Sequence, residues 1–371
     1  MLRILHVIGA MNRAGAETLI MNIYRNIDRK SIQFDFLVHT NKHCDYDDEI
    51  QKLGGRIFHI RPFNGVNLIE YRSEVNSHLI KHPEHTIIHN HMASTGYVIA
   101  KQARQKHRYV ILHAHSRNFY SGLRHIAFSL ASFPLRFIGD YYLACSEDAA
   151  ADTFGKSILS KPNYSILKNA IDVALYHCTN EEHLATKAIN ELNEVPVFGH
   201  VGRFIAEKNH IFLLEAFAEI KENLPDAVLL LAGQGPLQIR AREKAAELGI
   251  SDSVKFLGIC DDIPRFLKTI DVFLFPSLNE GLGLAAIEAQ AAGATCLIST
   301  GVPKMVSIVN CKRIALDDAN HWAQRAIQAY HLSQSIDRSK AAQKIAKKGF
   351  DISKTVSQIC SIYHQADTST D

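Results

Sequence analysis

The chain has 371 residues, of which 47% are hydrophobic and 21% charged, and its formal net charge at neutral pH is +3. This length suits two domains of ordinary size, and the composition is typical of a globular protein rather than a disordered one. The small net charge and the absence of a nucleic-acid-reading motif argue against a nucleic-acid partner. Seven scattered cysteines without a Cys-x-x-Cys pair suit reduced thiols, so we expect a cytoplasmic protein.

Short apolar runs alternate with helical patterns from the N-terminus onward, which predicts β-α-β units and a mostly parallel sheet. The N-terminal run could pass for a signal peptide, but it lacks a convincing cleavage site and reads better as a first strand. In the first half the predicted strands are Arg3–Gly9, Gln33–His39, Arg56–Pro62, Thr86–His91, Tyr109–His115 and Tyr141–Ser146.

No segment reaches the roughly 18 consecutive apolar residues that a bilayer-spanning helix needs. The nearest is Ile126–Ile138, which Pro134 and Arg136 interrupt. With Arg117 and Arg124 before it, this segment could lie on a membrane surface, as peripheral contact with the inner membrane would require. The alternative, a helix that packs on the core, is favoured.

A polar stretch from Asp172 to Glu194 interrupts the alternation, which resumes in the second half. The simplest fold is α/β, with two Rossmann-like doubly wound domains facing across a cleft. The predicted ranges are 1–172, 173–340 and a C-terminal segment, 341–371, whose helix crosses back to the first domain. Ligands of such sheets bind at the carboxyl ends of the strands, which places the expected site in the cleft.

The most informative stretch runs from Glu280 to Glu288 and carries two carboxylates around a glycine-rich opening. Gly281 and Gly283 allow a ligand to approach the main chain, and a helix beginning here would direct free N–H groups at an anion. The carboxylates could accept hydrogen bonds from sugar or ribose hydroxyls. An ordinary helical first turn with a favourable acidic residue explains the stretch about equally well.

Two cations, Arg203 and Lys208, follow the predicted strand that ends near Gly202. Such a pair suits a diphosphate and can stabilise the charge of a departing nucleotide without a metal ion. A solvated basic loop is the alternative. Gly233 lies in a weak Gly-x-Gly at the next strand end, and Gly258 and Ile259 follow the strand after that. Their convergence with the Glu280 turn is more informative than any one of them.

The first half offers fewer candidates. The segment Gly9–Glu17 lacks Gly-x-Gly-x-x-Gly, which argues against NAD, although Gly15 at a helix start can approach an anion. His115 ends a strand and could contact substrate, or could simply be one of twenty histidines. The Asp-x-Asp at 45–47 is interpreted as helix capping. The histidines at 85, 89 and 91 are interpreted as structural, because no zinc-like ligand spacing accompanies them.

Together these motifs resemble the retaining GT-B glycosyltransferases of family 4, over nearly the whole chain. The similarity is strongest in Pro-Ser-Leu-Asn-Glu280-Gly-Leu-Gly with Glu288-Ala-Gln-Ala-Ala-Gly293, and next in Gly-Arg203 with Lys208 and in Ala-Gly-Gln-Gly-Pro at 232–236. It is closest to members that build bacterial capsule, exopolysaccharide or O-antigen repeats. The first half agrees at Ala-Gly15-Ala-Glu and His-Ala-His115-Ser, although Ala14-Gly15 stands where many relatives have two glycines.

The resemblance implies a role for each candidate residue. Arg203 and Lys208 would hold the donor diphosphate, Glu280 the donor sugar and Glu288 the ribose, and His115 would lie near the donor sugar. The amides around Gly281, Leu282, Gly283 and Leu284 would meet phosphate or sugar, and Gly15 and Ala16 would lie near the diphosphate. No metal, cofactor or protein nucleophile is expected, so the two glutamates are not an acid–nucleophile pair.

These features predict an enzyme that transfers a sugar from a nucleotide-sugar donor, expected to be a UDP-sugar, to a growing lipid-linked cell-surface glycan. Two alternatives stay open. One is a catalytically silent partner that binds a nucleotide sugar and supports another transferase. The other is a UDP-sugar epimerase, whose usual motif arrangement is not evident in the sequence.

Overall fold

The chain folds into two compact units, and the second is inserted in the first. The structure, a computed structural model, describes residues 1–93, 95–115, 130 and 132–368. One unit comprises Met1–Ala170 together with the chain from Ile352 onward, and the other comprises Ile171–Asp351. Residues 341–351, which the sequence assigned to the C-terminal segment, thus belong with the second unit, and the final helix belongs with the first.

The first unit contains a parallel sheet of seven strands in the order β3-β2-β1-β4-β5-β6-β7. Its elements in chain order are β1 (Leu2–Ile8), α1 (Gly15–Asn26), β2 (Ile32–Val38), α2 (Asp47–Lys52), β3 (Ile57–His59), α3 (Leu68–Lys81), β4 (Ile87–Asn90), α4 (Gly96–Arg104), β5 (Tyr109–Ala114), β6 (Tyr141–Ala144), α5 (Glu147–Phe154) and β7 (Tyr164–Ile166).

Alternation along the strands divides this unit's core between the two sheet faces. In β1, Ile4 and Ile8 pack with α1, whereas Leu5 and Val7 pack in the opposite cluster. All seven residues of β2 are buried, as expected for a strand covered on both faces. Every second residue of a strand therefore faces α1, a periodicity that also places the histidines described below.

The second unit contains a parallel sheet of six strands in the order β10-β9-β8-β11-β12-β13. Its elements, followed by the last helix, are α6 (Val173–Tyr176), α7 (Asn180–Ile189), β8 (Val197–Val201), α8 (His210–Asn223), β9 (Val228–Ala232), α9 (Gln238–Glu247), β10 (Val254–Gly258), α10 (Ile263–Thr269), β11 (Val272–Phe275), α11 (Leu284–Ala291), β12 (Thr295–Ser299), β13 (Cys311–Ile314), α12 (Ala319–Ser333), α13 (Ala341–Ile345) and α14 (Ile352–Thr368).

The polar stretch that interrupts the sequence pattern contains the helix α7. A capping box begins α7, with Thr179 accepting from the amide of Glu182 and the Glu182 carboxylate accepting from the Thr179 amide. Lys187 of this helix is buried, and its ammonium lies 2.9 Å from the Asp271 carboxylate. The polar composition therefore reflects a helix held to the sheet by a buried ion pair.

None of the helices among the described residues is both long and apolar enough to cross a membrane. Within the segment 126–138, residues 126–129 and 131 lie outside the described residues, as do Arg117 and Arg124. The rest includes a 3-10 turn, Phe133–Phe137, in which Leu135 is buried while Phe133 and Phe137 are 50% and 75% exposed. This part packs on the core through Leu135, as a 3-10 turn and not as a continuous α-helix.

Candidate functional site

The expected donor residues of the second unit lie at the carboxyl edge of its sheet, around the point where the strand order reverses. The neighbouring strands β8 and β11 connect in opposite directions, to β9 on one side and β12 on the other. A crevice opens at such a switch point in open α/β sheets and commonly holds the ligand. Lys208 follows β8 and Glu280 follows β11, so these two residues flank the switch point.

Lys208 and Glu280 form an ion pair across this switch point. The side chains are 19% and 12% exposed, so the pair is sheltered but within reach of a ligand. The Lys208 ammonium also lies 4.9 Å from the centre of the Phe275 ring, at the end of β11. A carboxylate and an aromatic ring thus fix the position of an ammonium that can bind a diphosphate. The sequence alone does not show these two contacts.

Tight glycine contacts hold the loop that carries Lys208. A Cβ on Gly202 would lie 2.7 Å from the His200 Nε2 and 3.3 Å from the Lys208 Cδ. Gly233, with φ of +141°, approaches this loop so closely that a Cβ would lie 2.1 Å from the Gly202 carbonyl oxygen. The loops after β8 and β9 therefore pack backbone against backbone. This packing explains why glycine occupies positions 202 and 233.

The Glu280 turn presents free backbone donors beside the ion pair. The amide of Glu280 donates to the Gly301 carbonyl at 3.1 Å. The next three amides, of Gly281, Leu282 and Gly283, donate no hydrogen bond within the described part of the chain. Gly283, with φ of +85°, is the N-cap of α11, and a Cβ on Gly281 would meet nothing within 4 Å. Three free amides before a helix favour an anion.

The helix begins later than the sequence suggested. The sequence predicted a helix beginning at the Glu280 turn, but α11 begins only at Leu284. Glu288 lies in the second turn of α11 and is half-buried. The two carboxylates consequently belong to different local structures, a turn and a helix.

The remaining second-unit candidates lie at the same sheet edge. Arg203 is exposed, and its side chain makes no hydrogen bond or ion pair to any described residue. Gly258, with φ of +69°, ends β10, and its carbonyl oxygen accepts from the Gly233 amide at 2.7 Å. Ile259 is 47% exposed beside it. These residues supply a free cation, a turn and an apolar surface.

In the first unit, the candidates follow β1 and β5. Gly15 and Ala16 begin α1, where Gly15 is exposed and a Cβ on it would meet nothing within 4 Å. His115 follows β5 directly and is half-buried. Ser116 and Arg117, which complete its sequence motif, lie outside the described residues.

His115 belongs to a group of five neighbouring imidazoles that the sequence analysis did not recognise. The His91 Nδ1 lies 2.7 Å from the His115 Nε2, and the His91 Nε2 lies 2.9 Å from the His6 Nδ1. The His113 Nδ1 lies 3.2 Å from the His89 Nε2. The signal available in the sequence was a pair of His-x-His repeats at the ends of two predicted strands, because period-two alternation puts such residues on one face.

Burial keeps these rings uncharged. Removal from water lowers the pKa of His6 to about 3 and of His115 to about 4. The pKa values of His89, His91 and His113 are also held well below the ordinary value, by burial first and by neighbouring imidazoles second. A proton-shuttling His115 near neutral pH is therefore not supported, whereas a neutral hydrogen-bonding ring is.

The structure also reassigns two other sequence motifs. His85 does not join His89 and His91, because its Nε2 hydrogen bonds to the buried Asp35 carboxylate at 2.8 Å. The capping interpretation of the Asp-x-Asp is wrong in detail. Tyr46 holds the N-cap position of α2 without a side-chain cap, and the Asp47 carboxylate accepts from the Cys44 amide at 2.8 Å.

Two Rossmann-like units with parallel sheets are the architecture of the GT-B glycosyltransferases. Residues 182–348 match the family described as "Glycosyl transferases group 1". The chain is 32% identical to the putative glycosyltransferase EpsF of Bacillus subtilis over 370 residues, covering 98% of this chain and 96% of that protein. The protein therefore belongs to this glycosyltransferase family, of the GT4 type.

Two further similarities extend the comparison. An Escherichia coli UDP-Gal:α-D-GlcNAc-diphosphoundecaprenol α-1,3-galactosyltransferase is 27% identical over 301 residues, 77% of this chain and 76% of its own. The crystal structure of Anabaena HepE in complex with UDP and glucose matches with a TM-score of 0.78 at 18% identity. It covers 98% of this chain and 100% of its own, which confirms the predicted fold class.

Proposed function

We propose that the protein transfers a sugar from a UDP-sugar donor to a growing lipid-linked glycan of a capsule or exopolysaccharide, with retention of anomeric configuration. The observation that carries this proposal is the Lys208–Glu280 ion pair at the switch point, beside the free amides of Gly281, Leu282 and Gly283. Cation, carboxylate and amides together match the diphosphate and hydroxyl groups of a nucleotide sugar.

The donor would bind by exchanging one of these contacts. The donor diphosphate would form ion pairs with the Lys208 ammonium and the exposed Arg203 guanidinium. The Glu280 carboxylate would then accept hydrogen bonds from the sugar hydroxyls. Glu288 would hold the ribose, and Gly258 and Ile259 would border the base. The UDP and glucose bound to Anabaena HepE, a protein of the same fold, support this class of donor.

Leaving-group stabilisation would drive the reaction without a metal ion at the diphosphate. Two cations and three amides oppose the negative charge that grows on the departing UDP. The departing phosphate oxygen would help to deprotonate the acceptor hydroxyl on the same face of the sugar, which retains the configuration. In this proposal Glu280 pairs with Lys208 before the donor binds and with the sugar hydroxyls afterwards, which is the role of a positioning carboxylate and not of a nucleophile.

The proposed lipid-linked acceptor is supported by the names of two relatives and by an exposed aromatic surface of the first unit. The E. coli relative is named for a diphosphoundecaprenol-linked acceptor, and a relative of 24% identity, CapH of Staphylococcus aureus, for capsular polysaccharide biosynthesis. Exposed Phe133 and Phe137 flank Arg136 in the first unit, a pattern that suits the peripheral membrane contact of a cytoplasmic enzyme. Binding to anionic vesicles and its loss in Phe133→Ser and Phe137→Ser would test that contact.

A donor screen tests the function directly. Release of UDP would be followed for a panel of UDP-sugars with and without a bacterial lipid extract. Lys208→Ala or Glu280→Ala should lower turnover by about 10²–10³-fold in a folded protein, because each removes charge stabilisation from the transition state. Lys244→Ala, which breaks an ion pair with Glu215 elsewhere in the second unit, is the matched control.

Two results would count against the proposal. Wild-type turnover by folded Lys208→Ala would overturn the site assignment, and saturable UDP-sugar binding without any release or transfer would favour the silent-partner alternative. Turnover should survive chelation of divalent metals. Abolition by chelation, restored with Mg²⁺, would overturn the metal-free mechanism.

A further inference from the structure

The five imidazoles of the first unit, His6, His89, His91, His113 and His115, form a histidine cluster on one face of the sheet. Strand register explains the grouping, since His6 on β1 is paired with His89 on β4. One nitrogen each from His91, His113 and His115 lie within 4.8 Å of one another. The set mixes a deeply buried ring, His113, with two half-buried ones.

We propose that His91, His113 and His115 form a binding site for one divalent transition-metal ion, with Zn²⁺ as the reference ion. Three imidazoles are a common ligand set for Zn²⁺ and suit copper and nickel as well. The site lies in the first unit, whereas the expected diphosphate-binding residues Arg203 and Lys208 belong to the second. His115 is the one ligand residue that also belongs to the proposed donor site.

The distances leave little rearrangement for metal binding. Two nitrogens bound tetrahedrally at Zn–N distances of 2.0–2.1 Å stand about 3.3 Å apart. The His91 Nδ1 and His115 Nε2 are 2.7 Å apart, so they must separate by about 0.6 Å, which small ring rotations provide. The third ligand atom is available, because the buried His113 Nε2 has no hydrogen-bond partner among the described residues.

Two of the three ligand rings have an outer hydrogen bond, in each case to another imidazole. A bound imidazole donates its other ring N–H to a second group, which fixes the tautomer. The His91 Nε2 can donate to the His6 Nδ1 at 2.9 Å, and the His113 Nδ1 can donate to the His89 Nε2 at 3.2 Å. All three ligand rings are then neutral, each with its hydrogen on the nitrogen facing away from the metal.

The hydrogen bonds that run from His113 through His89 end at the hydroxyl of Tyr363. With its Nε2 accepting from His113, His89 carries its hydrogen on Nδ1, which lies 2.7 Å from the Tyr363 hydroxyl. His115 keeps its hydrogen on Nδ1, a buried atom without a partner in the described residues. One consistent set of tautomers thus leaves every ring neutral, with the His6 Nε2 and His115 Nδ1 hydrogens unpartnered among the described residues.

Metal loading should reduce glycosyl transfer, a consequence that rests on the proposed function. His115 would be shared between the ion and the donor sugar, and its ring would be fixed by the metal. Micromolar Zn²⁺ should therefore inhibit the enzyme, and chelation should restore it. Inhibition without binding at the histidines would contradict this consequence, while the site itself is judged by binding alone.

Binding can be measured without activity. Chelator-stripped full-length protein would be titrated with Zn²⁺ by calorimetry and with Co²⁺ by visible absorption, which is intense for a tetrahedral ion. We expect one ion per chain and a higher melting temperature of the wild-type protein with Zn²⁺. His91→Ala, His113→Ala and His115→Ala should each weaken binding by more than about 100-fold, and the outer-shell variant His6→Phe by about 10–100-fold.

The control is His82→Ala, whose ring contacts those of His78 and His85 in the same unit. It should bind Zn²⁺ like the wild type. Equal affinity in all the folded variants, or no saturable binding by the wild type, would overturn the proposal. If an alanine variant fails to fold, the wild-type Co²⁺ spectrum decides, since an octahedral, water-like spectrum would also overturn it.

Discussion

At the scale of single residues, the glycines of the proposed donor site differ in the space that surrounds them. Gly202 is required by protein atoms, because a side chain there would collide with His200 and Lys208. Gly281 is in open space without a positive φ, so nothing in the protein excludes a side chain. A glycine that the fold does not need, beside free amides, indicates space kept for a ligand.

Gly281→Ala should therefore leave folding unchanged and impair donor use. We expect a wild-type melting temperature and a loss of roughly 10–100-fold in kcat/KM for the donor, as for a ligand displaced by about 1 Å. Gly202→Ala, in contrast, should destabilise the protein by about 1–3 kcal/mol through overpacking. Thermal unfolding and UDP-release kinetics of both variants would check this, and wild-type kinetics for folded Gly281→Ala would contradict it.

His210 offers a single-residue test of pH dependence. Both of its ring nitrogens are buried without a partner in the described residues, and burial, then Lys208, lowers its pKa to about 4. The unfolded chain takes up this proton near pH 6.5, but the folded chain does so only near pH 4. The unfolded state binds more protons in between, so stability is lost as the pH falls through this window.

Replacing this ring should remove part of the acid sensitivity. Between pH 7.5 and 5.5 the free energy of unfolding of the wild type should fall by about 1 kcal/mol more than that of His210→Phe. Urea unfolding at both pH values measures the difference, and His331→Gln, on an exposed position of α12, is the control. An equal fall in wild type and His210→Phe would show that His210 titrates normally.

At the scale of elements, the strands were the most predictable part and the local turns the least. Five of the six strands predicted in the first half, β2 among them, agree with the structure to within two residues, although β2 includes the buried polar residues Gln33 and Asp35. The short strand β7 was not predicted. The start of α11 was misplaced, because glycine turns and helix starts look alike in sequence. The Lys208–Glu280 contact joins residues far apart in the chain, so only the sheet order reveals it.

The histidine cluster was missed for a related reason. Each His-x-His repeat alone suggests an ordinary alternating strand, and no local pattern shows that β1, β4 and β5 are neighbours. The final helix α14 adds a member from the end of the chain, since the Tyr363 hydroxyl bonds to His89. Long-range pairing of this kind depends on tertiary packing rather than on local propensity.

Tyr363→Phe tests this contact between α14 and the sheet. Removing the hydroxyl leaves the buried His89 Nδ1 without its partner, so we expect a loss of about 1–3 kcal/mol in the free energy of unfolding. Tyr330→Phe is the control, because the Tyr330 hydroxyl forms no hydrogen bond in the described part of the chain. Urea unfolding of both variants is the measurement, and equal stabilities would contradict the assignment.

At the scale of the whole molecule, the second unit is continuous in sequence and the first is not. Ile171–Asp351 contains its own sheet and two apolar cores, as well as all the proposed donor residues from Gly202 to Glu288. The first unit's core includes Ile359, Ile362 and Tyr363 of α14. The first unit is therefore incomplete without the end of the chain.

The two parts should behave differently when expressed alone. Residues 171–351 should fold cooperatively and bind UDP, whereas residues 1–170 should be aggregation-prone because the α14 surface of the core is exposed. Joining residue 170 to 352 by a short glycine-serine linker, which adds α14 to the fragment 1–170, should restore its folding. The linker can be short because the Ile171 amide donates to the Phe350 carbonyl at 3.0 Å, so the chain leaves and re-enters the first unit at neighbouring points. Circular dichroism and UDP calorimetry would decide, and a well-folded 1–170 fragment would refute the dependence on α14.

The insertion also sets an order of events during synthesis. Domains usually fold as they leave the ribosome, the N-terminal one first. Here the earliest residues made must wait for the last, because the core that β1 and β4 share with α1 is completed only by the side chains of α14. The second unit can finish while the first is still open, so the half of the enzyme that we propose binds the nucleotide is expected to mature before the half that begins the chain.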